Sequence, residues 1–238
     1  MNYYGGNMEK YFADKANIFR FQKQGDVLIV GASIADRIRA SSPPLDPIIP
    51  EPIPRTWALR ILGEHNRENA SFAAAALEAS GLTDEDIRSG VESFESVEGR
   101  LQFVRELNLP RVAGGKAGGV KIYNDNNATT PEATVAALKA LDRGKKNIIL
   151  IAGGSDKGVD ISALVVEIQK SCKAVFLLTG TGTERIRPEL GEAQILESLQ
   201  DALDAALRAS VSGDVVLFSP AFASFGMFKN EYDRNDQF

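Results

Sequence analysis

Four short runs, GVKIYND, NIILIAGG, AVFLLTG and DVVLFSP, are almost continuously apolar, and amphipathic stretches of helical period separate them. A strand that faces water on one side alternates apolar and polar residues. A strand with no polar face must be covered on both sides, and that is the signature of a parallel sheet sandwiched between helices. The pattern holds from about residue 97 to the C-terminus. It predicts a Rossmann-like α/β domain over residues 97–238, with a mostly parallel sheet.

Residues 1–96 read differently and are expected to form part of another α/β domain. Asn7 caps a helix expected to run through about Phe21, VLIVG after Asp26 reads as a short buried strand, and ALRIL reads as a strand ending at Gly63. A helix should then run from about Asn66 to Ser80 and stop at Gly81. Thr83 to Asp86 resembles a capping box that opens a helix through Phe94. Six of the ten prolines fall between Pro43 and Pro54. Proline lacks the N–H that helices and central strands require, so this stretch is expected to be an extended surface connection. In the second half, Thr130 and Pro131 should open a helix, and others are expected near Ser162–Lys170, at Glu184–Leu190, and opening near Phe222.

Composition excludes several classes of function. The net charge of −5 is wrong for a nucleic-acid sleeve or a polybasic membrane patch. No apolar run is long enough to span a bilayer, and the N-terminus has no apolar signal core. One cysteine, Cys172, leaves no intramolecular disulfide or multi-cysteine zinc site, and one histidine, His65, leaves no two-histidine metal site. A reducing, cytoplasmic setting is the expectation. Cys172 should be buried and inert.

Ligands of open parallel sheets bind beyond the carboxyl ends of the strands. Four segments place polar residues there. GEHNRENA puts Asn66 and Asn69 one helical turn apart, where they either face a ligand or, in the case of Asn66, cap the helix. YNDNNATTPEAT puts Asp125 and Thr129 at a strand end, where they either meet ribose hydroxyls or an ammonium or serve the turn itself. AGGSDKG offers Lys157 as a mobile cation for a carboxylate or phosphate, though it does not match a P-loop. SPAFASFGMF carries Ser224 among phenylalanines whose spacing suits core packing. Lys15, spaced from Tyr11, Phe12 and Phe19 at helical intervals, is expected on an apolar helix face, where it either snorkels to solvent or reacts with a depressed pKa.

MEKYFADKANIF, GEHNRENASFAAAAL, GRLQFV, YNDNNATTPEATVAAL, LIAGGSDKG and SPAFASFGMFKNEYDR resemble, in this order, segments of the Mur ligases, and most closely of the D-glutamate-adding branch. That resemblance implies residues 1–96 as the C-terminal portion of a central ATP-binding domain without its P-loop. It implies residues 97–238 as the domain that delivers the amino acid, so that the chain is a truncated ligase, inactive alone. The implied chemistry is ATP-dependent joining of D-glutamate to UDP-N-acetylmuramoyl-L-alanine through an acyl phosphate, in peptidoglycan precursor synthesis, with Mg2+ as metal. By the same resemblance Lys15 is a carbamylated Mg2+ ligand, while Asn66, Asn69, Arg100 and Asp125 contact the nucleotide. Thr129, Lys157, Ser224, Phe225 and Phe228 line the amino-acid pocket. The sequence departs from the pattern at Gly99 (His in some members), Asn127 (Lys in some), Glu231, Tyr232 and Asn235 (commonly Gly). Two other readings remain open: a noncatalytic nucleotide- or amino-acid-binding α/β module, and a sibling ligase that adds a different amino acid. Neither nucleic acid nor membrane is expected as a partner, and the residues say nothing of oligomeric state.

Overall fold

The computed structural model describes residues 4–41, 43–108, 118–224 and 227–238. The chain divides into two compact units. One comprises Met1–Leu59 with Asn66–Ser93, and the other Arg60–His65 with Phe94–Phe238.

The larger unit is an α/β sandwich around a six-stranded sheet in the order β1-β2-β6-β3-β4-β5. The strands are β1 (Gln102–Asn108), β2 (Gly119–Asn124), β3 (Ile148–Gly153), β4 (Cys172–Leu178), β5 (Gln194–Leu196) and β6 (Val215–Phe218). β1 runs antiparallel to β2, and the other pairings are parallel. The apolar runs are apolar because both faces are covered. Ile149 and Ile151 of β3, with Val216 and Phe218 of β6, pack with Leu199, Ala202, Ala205 and Ala206 of a helix over Leu199–Ala209. Their neighbours Ile148, Leu150 and Leu217 point the other way, to the helices Pro131–Leu141 and Ser162–Ser171. Burying one such side chain contributes roughly 1.5–3 kcal/mol, which makes these alternating layers the main support of the unit.

Two connections cross the middle of the sheet. The helix Pro131–Leu141 carries the chain from β2 past the place that β6 later fills, and the helix Leu199–Ala209 brings it back. The carboxyl ends of β2, β6 and β3 therefore lie side by side, with Asn124 paired to Phe218 and Phe218 to Ile151. Such a point of reversal is where open α/β sheets have room for a ligand.

In the smaller unit, Asn7 accepts a hydrogen bond from the Lys10 amide at 3.0 Å and caps α1 (Met8–Lys15). The expected single helix breaks at Ala16 and resumes as α2 (Asn17–Arg20). Lys15 is exposed, 5.6 Å from the Tyr11 ring centre, and the buried positions are instead Ala16 and Phe19. Lys15 shares α1 with Tyr11 and Phe12, but no residue of α1 is buried, so its side of the helix is not covered. A further helix, α3 (Ala32–Ala40), buries Ala35 and Ile38. VLIVG forms no ladder among the described residues: its only pairing is a parallel bridge from Ile29 to Ile48 in the proline-rich stretch. That stretch is extended as expected, but Ile53 is buried, so it is not wholly superficial. α4 (Glu64–Ala79) ends at Gly81, where Gly81 N–H bonds Glu78 O and Leu82 N–H bonds Leu77 O. α5 (Asp84–Ser93) opens on the expected capping box, with Asp86 N–H to Thr83 Oγ1 at 3.3 Å and the two side chains 2.6 Å apart.

Two other expectations fail. ALRIL is not a strand. The Ala58 N–H bonds the Glu92 carboxylate at 3.0 Å, the Arg60 guanidinium reaches Glu95 at 3.0 Å, and Leu62 packs on the core of the larger unit. The last helix, over Glu231–Asp236, does not begin near Phe222. There Ala221 takes φ +63° and Ala223 makes an antiparallel bridge to Ser155, which uses the backbone as strand rather than helix. Three elements, α3, β1 and β5, carry no pattern that announces them in the sequence. Cys172 is buried at the start of β4, and burial pushes its thiol up to about 12.

Candidate functional site

Beyond Asn124 the chain leaves β2 and meets the end of β6. Asp125 lies there, 7% exposed. Its Oδ1 accepts the Leu101 amide at 2.9 Å and its Oδ2 accepts the Ser219 hydroxyl at 2.8 Å, while Ser219 Oγ lies 2.8 Å from Thr134 Oγ1. Burial raises the Asp125 carboxyl from 3.8 to about 6, against the opposing pull of these donors and of the Arg100 guanidinium. At neutral pH it is ionised, a buried anion held by a hydroxyl and an amide with Arg100 near it.

The neighbouring strand end supplies the opposite charge. Lys157 Nζ donates to Thr129 O at 2.9 Å and to Thr129 Oγ1 at 3.2 Å, which brings together two of the expected amino-acid contacts from loops that follow different strands. The loop of Lys157 is fixed at several points. The Asp156 amide bonds Thr181 Oγ1 at 3.0 Å, and Asp156 Oδ1 takes the Gly158 amide at 3.0 Å. Arg185 Nη1 reaches both Asp156 oxygens at 3.1 Å and Val159 O at 2.7 Å. Ser155 and Ala223 exchange backbone hydrogen bonds at 2.9 and 3.1 Å, so the loop of Lys157 is paired with the segment that carries Ser224. Gly154 makes this approach possible: at φ +137°, a Cβ there would run into the Ala223 carbonyl. Ser224 is buried beside this bridge.

Sequence reasoning gave no role to Arg234. Its side chain is fully buried, with Nε to Asn126 Oδ1 at 2.6 Å, Nη2 to Asn126 O at 2.7 Å and Nη1 to Phe222 O at 3.4 Å. A guanidinium with several fixed donors is suited to joining three chain segments in this way. Nothing in the local sequence marks it, because its partners lie up to 108 residues away.

The other expected site residues are placed as follows. Arg100 is exposed in a turn closed by Arg100 N–H to Val97 O at 3.0 Å. Phe228 packs partly buried against the cluster beneath Phe218, and Phe225 lies outside the described residues. Asn66 and Asn69 belong to the smaller unit, on one side of α4, with Asn69 Nδ2 3.4 Å from Asn66 Oδ1. Lys15 belongs to that unit as well. Arg100, Asp125, Thr129, Lys157, Ser224 and Phe228 all fall in the larger one.

Residues 99–222, which hold Arg100, Asp125, Thr129 and Lys157, match the family described as "Mur ligase, glutamate ligase domain". The chain belongs to the Mur ligase family. It is similar to the UDP-N-acetylmuramoylalanine--D-glutamate ligase of Roseiflexus sp. (strain RS-1), at 38% identity over 187 residues, covering 76% of this chain and 37% of that protein. It is also similar to the protein of that name from Solibacter usitatus (strain Ellin6076), at 33% identity over 255 residues, covering 97% of this chain and 54% of the relative. The chain thus spans about half or less of the length of these Mur ligases. Among solved structures, MurF from Acinetobacter baumannii matches with a TM-score of 0.61 at 18% identity, over 91% of this chain and 53% of that one. UDP-N-acetylmuramate-alanine ligase MurC from Thermotoga maritima matches with a TM-score of 0.54 at 20% identity, over 68% and 36%. At these identities the likeness is one of fold.

A magnesium ion asks for several oxygen ligands in near-octahedral array. Among the described residues no three of His, Cys, Asp and Glu come together in such a way, and Lys15 offers a nitrogen beside an aromatic ring. These residues do not by themselves fit the ion. No helix among the described residues is long and apolar enough to cross a membrane.

Proposed function

We propose that the chain serves the ATP-dependent joining of D-glutamate to UDP-N-acetylmuramoyl-L-alanine, a step of peptidoglycan precursor synthesis. In this reading residues 97–238 receive the amino acid, and residues 1–96 contribute to the nucleotide site. The observation that carries it is the Lys157–Thr129 contact across the ends of β3 and β2, in a stretch that matches the glutamate ligase domain. The relatives named above carry that activity in their names.

The chemistry divides into two transfers. The γ-phosphoryl of ATP passes to the carboxylate of the UDP-sugar peptide, giving an acyl phosphate and ADP. The amine of D-glutamate then attacks the carbonyl, phosphate leaves with the C–O bonding pair, and the amine loses a proton. In this reading the Lys157 ammonium and the Thr129 hydroxyl hold an amino-acid carboxylate, a charge-assisted contact that fixes the nucleophile's orientation. In the same reading Ser224, on the segment stitched to the Lys157 loop, lines that pocket with Phe228. In this reading Asp125 and Arg100 of the larger unit present an anion and a cation to the ribose and phosphates of ATP.

Asn127 gives a specific reason to test the choice of amino acid, because its side-chain amide donates to Glu98 O at 3.1 Å rather than standing open. Calorimetry of the chain with ATP, D-glutamate, L-lysine and diaminopimelate tests the reading. Heat with ATP and with D-glutamate in preference to the other two is the expected result. Preference for another amino acid makes the protein a sibling ligase component, and no heat with any of them removes the assignment.

A further inference from the structure

Three of the positions at which the sequence departs from the Mur pattern, Gly99, Asn127 and Asn235, are far apart in the chain and meet in one place. Asn127 Nδ2 donates to Glu98 O at 3.1 Å, and Asn235 Nδ2 donates to Glu98 Oε1 at 2.8 Å. Asn235 Oδ1 in turn accepts from Asn124 Nδ2 at 2.9 Å, and Asn124 Oδ1 accepts the Asn126 amide at 3.0 Å. The backbone follows the same route, with Asn127 N–H to Gly99 O at 2.9 Å. Gly99 takes φ +69°, and a Cβ there would stand 2.9 Å from Asn127 Nδ2 and 3.1 Å from Asn235 Oδ1. The absence of a side chain at 99 is therefore what lets the two asparagines close on the turn. The next residue is Arg100, and the one after, Leu101, donates its amide to Asp125 at 2.9 Å from a left-handed conformation, φ +46°. A buried leucine in that conformation needs its surroundings to hold it.

We propose that Asn127 and Asn235 are positioning residues that clamp the Glu98–Gly99 turn onto the end of β2, and so fix Arg100 and the Leu101 amide against Asp125. Asn127 then serves the nucleotide side of the site and is not a contact for the amino acid. The value of this placement to a nucleotide rests on the ligase reading of Arg100 and Asp125, while the clamp itself is a property of the fold.

The two can be tested apart on the 238-residue protein. Amide hydrogen exchange at Arg100, Leu101 and Asn127, together with 13C-detected titration of the Asp125 carboxyl, is measured in the wild type, N127A, N235A and the double variant. The Ile149 and Ile151 amides deep in β3 report whether the fold is intact. With a hydrogen bond worth about 1 kcal/mol, each single variant should speed exchange of the Leu101 and Asn127 amides about fivefold. The Asp125 midpoint should rise by roughly half a unit as the Leu101 donor and Arg100 draw away. The double variant should do less than the sum of the two, because both side chains hold one turn. A midpoint and exchange rates that stay put in both single variants overturn the clamp. A merely structural pair of asparagines would alter stability without moving the Asp125 titration. ATP calorimetry addresses the functional half: N127A should lose affinity severalfold, in the direction of R100A, and an unchanged ATP affinity in N127A with a shifted midpoint overturns it. Absence of ATP heat in the wild type, with exchange and titration responding as expected, sinks the ligase reading of Arg100 and leaves the clamp supported.

Discussion

Asp125 makes the site sensitive to pH in a direction that follows from its burial. Its carboxyl is raised in the folded chain, from 3.8 to about 6, so the folded state holds a proton that the unfolded state releases. Its contribution to stability is present in full below about pH 4, falls as pH rises through 4 to 6, and is level above that. The span corresponds to about 3 kcal/mol. Asp125→Asn removes this slope: urea unfolding at pH 4 and pH 7 should show a larger loss between the two for the wild type than for the variant. Lys157 gives a second expectation at this scale. Lys157→Met removes the charge that meets the amino-acid carboxylate, and D-glutamate affinity in calorimetry should drop about tenfold or more, with the thermal midpoint little changed because the ammonium is exposed. The places of Asp125, Thr129 and Lys157 beyond strand ends were legible in the sequence, since they closely follow the apolar runs of β2 and β3. Arg234 was not, because its partners Asn126 and Phe222 are set by folding and not by spacing.

Elements were legible where burial is complete. β3 has every residue buried, and its sequence IILIAG admits little but a central strand. β1 is mostly exposed along QFVRELN, so it shows neither a continuous apolar run nor alternation, and it becomes a strand because β2 offers an edge to pair with. ALRIL failed for the converse reason. Leu62 packs on the core of the larger unit and the Ala58 amide bonds the Glu92 carboxylate, and composition alone cannot tell that from a ladder. The capping box of α5 is a local signal, which is why it read correctly. Thr83→Ala should therefore cost about 1 kcal/mol, seen as a lower thermal midpoint and faster exchange of the Asp86 and Ile87 amides.

At the scale of the whole molecule, the sheet of the larger unit must end somewhere, and its two edges end differently. β5 is only three residues long, too short to template another chain. β1 is longer, and it carries Arg105 and Glu106 beside an irregularity between Phe103 and Arg105. Charge and distortion together discourage pairing from outside. Replacing Arg105 and Glu106 by valine should turn this edge into an adhesive one, with self-association visible by light scattering at concentrations where the wild type shows none. The assignment of Arg60–His65 to the larger unit could not be read from the sequence, since a six-residue strap leaves no compositional trace.

The bridge between Ser155 and Ala223 sets a limit on how such a pocket can diversify. With Gly154 pressed against a carbonyl, neither of the two stitched loops can lengthen or drift without dragging the other along. New substrates must therefore be accommodated by exchanging side chains on a frozen frame, one residue at a time, and insertions in either loop should be rare among functional variants.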